Sequence, residues 1–371
     1  MITSYHRPTQ AVINLAAVKE NIEQTFRQYP DKEIFAVVKA DGYGHGAVAV
    51  AKTALTAGVT GFCVATIDEA IQLRTAGLVQ PILILGLIEA KDAVLAATYH
   101  ISVTVAQVDW LKKAAVYLKE TDSTLLVHIK VDTGMGRIGF LSENEIKQAI
   151  EFMAADDHFD WEGIFTHYAT ADQEDSTYFK QQEKQFSQIV SALPYRPPYV
   201  HSANSATLLW HHGCGNMLRL GISMYGLNPS AGVLSPTQEL KPAFSLVSEI
   251  IQVKCLPAGS AIGYGKTYET SEDEWIATIP IGYADGYMRK MQGFYVLVEG
   301  NYCEVVGRVC MDQIMVRLPR QFAEGTKVTL IGKNKEKEIT LQEYAEYAGT
   351  IHYEALCLIS SRVPRQYIKK G

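Results

Sequence analysis

Residues 34–46 read IFAVVKADGYGHG. An apolar run without alternation ends in Lys39 and opens into a loop with glycine at 42, 44 and 46. A continuous apolar run of this length suits a strand buried on both faces, as in parallel sheets covered by helices. The pattern repeats outward along the chain. The runs IFAVVK (34–39), GFCVA (61–65), ILILG (82–86), ISVTV (101–105), LLVHIKV (125–131), EGIFTH (162–167), PYVHS (198–202) and MLRLGI (217–222) are strand candidates. Helical patterns lie between them. Asn14 is placed to cap a helix whose apolar face is Leu15, Val18, Ile22 and Phe26, and Thr66-x-x-Glu69 and Ser142-x-x-Glu145 read as capping boxes. Further helical segments are expected at 89–98, 106–120 and 176–193. This alternation predicts the α/β class, as an N-terminal (β/α)8 TIM-type barrel. Patterning does not show closure, so a doubly wound open sheet remains the competing arrangement.

The pattern changes after residue 240. FSLVSEIIQVKCL, EWIATIPIG, FYVLVEG, YCEVVGRVC, QIMVRLP and KVTLIG follow one another with turn signals at Pro257-Ala-Gly, Glu299-Gly-Asn and Gly332-Lys-Asn. That spacing predicts a C-terminal all-β domain, a small barrel or sandwich. The expected division is a barrel over 1–240 and a β domain over 241–371, with the boundary between Ser235-Pro236 and Pro242.

The chain of 371 residues, 47% of them hydrophobic, is long enough for two cores. A net charge of -6 with dispersed basic residues argues against a nucleic-acid partner. The N-terminal MITSYHRPTQ has no signal pattern and no apolar run approaches membrane-spanning length, so a cytoplasmic, membrane-free protein is expected. Cys63, Cys214, Cys255, Cys303, Cys310 and Cys357 form no C-x-x-C pair or metal-like cluster, and reduced thiols and no metal are expected.

A lysine at the C-terminal end of a barrel strand stands on the face where such barrels carry out chemistry. In a partly apolar pocket it can lose its charge and serve as a Schiff-base nucleophile. An ordinary lysine on a βα loop is the alternative. Beyond VVKADGYGHG (37–46), the chain continues through KVDTGMGRIG (130–139), FTHYATAD (165–172), HSANSA (201–206), NMLRLGISMYG (216–226), IGYGKTY (262–268), IPIGYADGYMR (279–289), GRVCMDQ (307–313) and TIHYEALCLISSRVPR (350–365).

Taken in order, these segments resemble the alanine racemase family over nearly the whole chain. The resemblance implies a barrel followed by a β domain, a homodimer with shared active sites, and pyridoxal 5'-phosphate joined to Lys39 as a Schiff base. It implies interconversion of L-alanine and D-alanine by two bases, supplying D-alanine for peptidoglycan. Lys39 would serve one face and Tyr264 the other, with Arg219 and His167 in the cationic neighbourhood that a tyrosine base requires near neutrality. Arg219 would meet the pyridine nitrogen, where an arginine can only donate. Tyr43, Ser205, Gly221, Ile222 and Tyr353 match phosphate contacts; Arg137, Met311 and Asp312 match substrate contacts. Asp172, Tyr283, Arg289, Arg308 and Ile351 match the corridor into the site, and Lys130 matches a lysine often carbamylated. Blander readings stand beside these: a salt-bridged Arg219, a helix cap at Ser205, a turn tyrosine at 264 and an ordinary barrel lysine at 130. His45 and His201 lack so clear a role. The rival functions are a serine or broad-spectrum amino-acid racemase, a basic-amino-acid decarboxylase, a single-domain pyridoxal-binding homeostasis protein and a non-catalytic pyridoxal phosphate-binding protein. Residues 241–371 and Tyr264 count against the single-domain protein, and intact Lys39 and Tyr264 against the non-catalytic one.

Overall fold

A computed structural model describes residues 2–369. The chain opens with β1 (Gln10–Asn14). Eight strands follow: β2 (Glu33–Val37), β3 (Gly61–Val64), β4 (Ile82–Ile84), β5 (Ser102–Val105), β6 (Leu125–Lys130), β7 (Phe159–Phe165), β8 (Tyr199–His201) and β9 (Met217–Leu220). They form one sheet in the order β8-β7-β6-β5-β4-β3-β2-β9, each strand parallel to its neighbours. The last of the eight, β9, returns to lie against β2, and further contacts bring β8 to β9. The ring is therefore nearly closed, which favours the barrel over the open sheet. Helices alternate with the strands, among them Ile67–Thr75, Val108–Leu118, Glu143–Ala154 and Thr177–Ser191. Both predicted capping boxes are formed, and the Asn14 side chain accepts from the Ala16 N–H.

The packing divides at 242/243 rather than 240/241, and the β unit takes in residues up to Ala16 and Tyr43–His45. The expected barrel span of 1–240 is corrected accordingly. β1 joins the β unit because it pairs antiparallel with β10 (Phe244–Glu249) and parallel with β20 (Arg365–Ile368). Between them run β11 (Gln252–Leu256), β12 (Ala261–Ile262), β13 (Tyr268–Glu269), β14 (Glu274–Ile279), β15 (Tyr295–Val298), β16 (Asn301–Val306), β17 (Ile314–Leu318), β18 (Lys327–Asn334) and β19 (Lys337–Ile339). The main sheet runs β11-β14-β17-β16-β15-β18-β10-β1-β20. The unit is not purely β. Helices occupy Leu341–Ala348 and His352–Leu358, the first opened by a Thr340-x-x-Glu343 capping box that is visible in the sequence.

One local irregularity interrupts the barrel ladder between β6 and β7. Val127 pairs with Trp161 but His128 pairs with Gly163, so Glu162 is an extra residue in β7. Such a bulge re-aims a side chain. A Cβ on Gly163 would lie 2.4 Å from His128 Nδ1, so the glycine makes room for the imidazole. Replacing Gly163 with Ala should therefore destabilise the protein by about 1–3 kcal/mol through overpacking. Urea unfolding would show this as a lower midpoint at unchanged slope, and an unchanged midpoint would contradict the reading.

Candidate active site

Lys39 stands one residue beyond the buried Val38 at the end of β2. The chain then turns left-handed, with φ near 51° at Ala40 and Asp41, 62° at Gly42 and 52° at Tyr43. Left-handed helical backbone costs about 1–2 kcal/mol per non-glycine residue, so the turn needs support. The Gly42 N–H reaches the Val38 carbonyl at 2.8 Å, Asp41 Oδ1 accepts from Ala47 N–H at 2.8 Å, and Glu69 Oε1 accepts from Ala40 N–H at 2.7 Å. Glu69 thus does more than close its capping box: it clamps the peptide that follows Lys39. The box was legible in the sequence; the clamp required the β2–β3 pairing.

Cations from several strands gather at this end of the barrel. Lys130 ends β6, and its Nζ donates to the Val131 carbonyl at 2.6 Å. Burial, then the Arg219 charge, push the Lys130 ammonium down to about 7. Arg219 in β9 is buried. Its NH1 donates to His201 Nδ1 at 2.6 Å, and its NH2 reaches the carbonyls of Thr166 and Ser202 at 3.0 Å and His167 Nδ1 at 3.3 Å. No carboxylate makes a salt bridge with it among the described residues, so the salt-bridged reading is set aside. Burial lowers its guanidinium to about 10. His167 is held well below its usual range by burial first, then by Arg219, Arg137, Lys130 and Lys39. Basic side chains from four positions thus act on one imidazole.

Arg137 lies on a loop organised by Asp132, a residue that the sequence analysis did not single out. Asp132 Oδ1 accepts from the N–H groups of Gly134, Met135 and Gly136 at 2.9, 2.8 and 3.1 Å, and Oδ2 from Arg137 N–H at 3.2 Å. The Asp-Thr-Gly-Met-Gly run carries the signal of such a turn. Ser205 is not the helix cap; Asn204 is, accepting from Thr207 N–H at 2.9 Å. Ser205 Oγ instead accepts from Gly221 N–H at 3.1 Å and Ser223 N–H at 3.2 Å, drawing 205 and 221–223 together. Asp172 is half-buried on the loop after β7.

The β unit holds the remaining candidates. The Tyr43 and Tyr353 rings lie 6.2 Å apart. His45 is buried against Phe244, a structural position. Tyr264 is 71% exposed, which removes the reading as a packed turn tyrosine. Its turn abuts Arg308, since a Cβ on Gly265 would lie 3.0 Å from Arg308 NH1. Tyr283 N–H donates to the Cys310 carbonyl and Ala284 N–H to the Met311 carbonyl, both at 3.0 Å, so the Tyr283 and Met311–Asp312 segments form one piece. Arg362 NH1 bonds Asp312 at 2.6 Å, and the fully buried Asp285 takes Arg7 and Arg362. Arg289 and Ile351 are exposed.

Sequence models of the alanine racemase N-terminal and C-terminal domains match residues 13–229 and 243–367. The chain belongs to the alanine racemase family. It is 52% identical over 370 residues to an alanine racemase of Ligilactobacillus salivarius, covering 99% of this chain and 100% of that relative. Among solved structures, an alanine racemase from E. faecalis superposes with a TM-score of 0.96 at 52% identity, covering 99% of this chain and 100% of that one. A histidine racemase from Leuconostoc mesenteroides superposes at 0.95 with 35% identity, covering 99% of this chain and 100% of that one. The family's backbone thus also carries a racemase named for a larger amino acid, and the side chains must decide the substrate.

The depressed Lys130 has a thermodynamic consequence. Between about 7 and the 10.5 of an unperturbed lysine, the unfolded chain binds a proton that the folded chain releases. Stability contributed by this group therefore rises with pH across that window. In buffer purged of carbon dioxide, the stability of the parent relative to Lys130→Met should increase as pH rises from neutral towards 10. Parallel stability curves for the two proteins would overturn this.

Proposed function

We propose that this protein racemises alanine, with pyridoxal 5'-phosphate bound at the C-terminal end of the barrel. The observation that carries the reading is the buried Arg219 against His201 and His167, with Lys130 buried at the end of β6 and Lys39 and Arg137 close enough to lower His167 as well. Such a cluster calls for anions. A phosphate, a phenolate oxygen and a substrate carboxylate are the anions this reaction would bring, so the residues fit the group. When bound, the cofactor supplies the electron sink that makes the Cα hydrogen acidic.

The chain's own residues then divide the work. Lys39 holds the cofactor and takes or returns a proton on one face of Cα. Tyr264 does so on the other. Arg219 would face the cofactor's ring nitrogen and, being able only to donate, would leave that nitrogen unprotonated. Ser205, Gly221 and Ile222 receive the phosphate, supported by the bonds that join 205 to 221–223. The hydroxyls of Tyr43 and Tyr353 are assigned there by resemblance. Arg137, Met311 and Asp312 orient the substrate carboxylate. Asp172, Tyr283, Arg289, Arg308 and Ile351 line the way in. Lys130, down at about 7, offers a neutral amine that adds carbon dioxide and releases a proton; the resulting carbamate would balance Arg137. The tyrosines at 283 and 353 favour a small substrate.

An exposed Tyr264, with exposed Met311, Tyr283 and Ile351, supports a homodimer in which each β unit serves the partner's barrel. A water-bathed phenol has no reason to act as a base; one covered by a cationic pocket has. Among the described residues no helix is long and apolar enough to cross a membrane. A cytoplasmic enzyme supplying D-alanine for peptidoglycan is the corresponding biological role.

Two bases on opposite faces should be separable. Tyr264→Phe should lose net racemisation in both directions, because the equilibrium between enantiomers is fixed by symmetry. By the family assignment Lys39 faces the Cα hydrogen of D-alanine. The variant should still exchange that hydrogen with deuterated solvent, with retention. Exchange for L-alanine should fall by about 10²–10⁴-fold, the usual worth of a general base. Equal loss for both enantiomers, with cofactor still bound, would count against the two-base assignment.

A further inference from the structure

A polar path crosses the barrel interior from Arg219. Arg219 NH1 meets His201 Nδ1 at 2.6 Å, His201 Nε2 meets His128 Nδ1 at 2.9 Å, and His128 Nε2 meets Glu162 Oε2 at 3.0 Å. Ser102 Oγ donates to the same carboxylate oxygen at 2.5 Å. Strands β5, β6, β7, β8 and β9 each contribute one residue. Ser102, His128, His201 and Arg219 are all buried.

Such a barrel interior is ordinarily filled by branched apolar side chains. Buried polar groups cost free energy unless every one is bonded. Here the fold also commits a β-bulge to aim Glu162 and a glycine at 163 to admit the His128 ring. Packing alone would be served by apolar residues.

Hydrogen-bond chemistry fixes the direction of the path. A guanidinium only donates, so His201 Nδ1 must accept. A neutral His201 then carries its proton on Nε2 and donates to His128 Nδ1. His128 in turn carries its proton on Nε2 and donates to Glu162, the acceptor that closes the chain. We propose that Glu162, acting through His128 and His201, is a positioning residue for Arg219: it sets the tautomer of both histidines so that His201 presents a lone pair to the guanidinium.

Burial and then the Arg219 charge hold His201 well below its usual range, consistent with a neutral ring. Burial works to raise the Glu162 carboxyl, but His128 and Ser102 outweigh it, and the group stays ionised below its usual range. Without Glu162, His128 is free to place its proton on Nδ1 and donate to His201. His201 would then carry its own proton on Nδ1, facing a guanidinium N–H. That bond is lost, and Arg219 keeps only its contacts to Thr166, Ser202 and His167, with NH1 no longer fixed. The relay itself rests on geometry; its benefit to catalysis rests on the proposed placement of Arg219 against the cofactor's pyridine ring.

The test uses nitrogen-15 NMR of the histidines in the full-length protein, with and without cofactor, together with alanine racemisation kinetics. The parent should show His128 and His201 neutral with the proton on Nε2. Glu162→Gln keeps an acceptor and should keep both tautomers and a kcat near the parent's. Glu162→Leu should mix the tautomers and lower kcat on the order of tenfold to a hundredfold, as when an orienting partner of a functional histidine is removed. KM for alanine should change little. If Glu162→Leu does not fold, His128→Phe breaks the path one step along and should give the same His201 signature. A parent His201 protonated on Nδ1 would overturn the proposal, as would Glu162→Leu losing thermal stability with tautomers and kcat intact. If the histidines behave as stated but the parent does not racemise alanine, the relay stands and the functional reading falls.

Discussion

A buried guanidinium inside a barrel, with no carboxylate against it among the described residues, is the constraint around which this site is built. Removing a charge from water is costly unless dipoles replace the lost hydration. Arg219 receives that replacement from the carbonyls of Thr166 and Ser202 and from the His201 ring. Each lies at the end of a strand or just beyond it, so the strand register decides whether the arginine can be buried at all. The charge then acts on its surroundings. It lowers the Lys130 ammonium and His167, and it opposes the burial that raises the Cys63 thiol to about 12. A cation held this way attracts an anionic ligand before any contact is made.

The β unit meets a different demand. Its candidate residues Tyr264, Met311, Tyr283 and Ile351 are exposed. Rigidity comes from below the surface. Asp285, without exposed side chain, takes Arg7 and Arg362, and Arg362 passes the constraint to Asp312. The backbone bonds between 283–284 and 310–311 join two candidate segments into a single presenting surface. The exposed candidate segments are thus tied to a buried carboxylate through half-buried arginines.

The eight barrel strands were legible because strands buried on both faces are mostly apolar, with few polar breaks. Caps at Asn14, Thr66 and Ser142 were legible because they are local. β1 was not: QAVIN is short, and its partners β10 and β20 lie at the other end of the chain. The helices at 341–348 and 352–358 were missed although Thr340-x-x-Glu343 announces the first, because the surrounding strand signals dominated. Candidate site residues came mostly from the family resemblance. The clamp by Glu69 and the path through Ser102, His128 and Glu162 were invisible, since a polar residue inside LLVHIKV or EGIFTH reads only as a break in an apolar run. His201 had no evident role until the topology set it between Arg219 and His128.

The most direct measurement is polarimetry of the purified protein with pyridoxal 5'-phosphate, starting separately from L-alanine and D-alanine. Optical rotation should decay to zero from both sides and stay there, with alanine conserved and no pyruvate formed. Rotation that persists, or that vanishes only as pyruvate accumulates, would contradict a site in which two bases serve opposite faces of Cα.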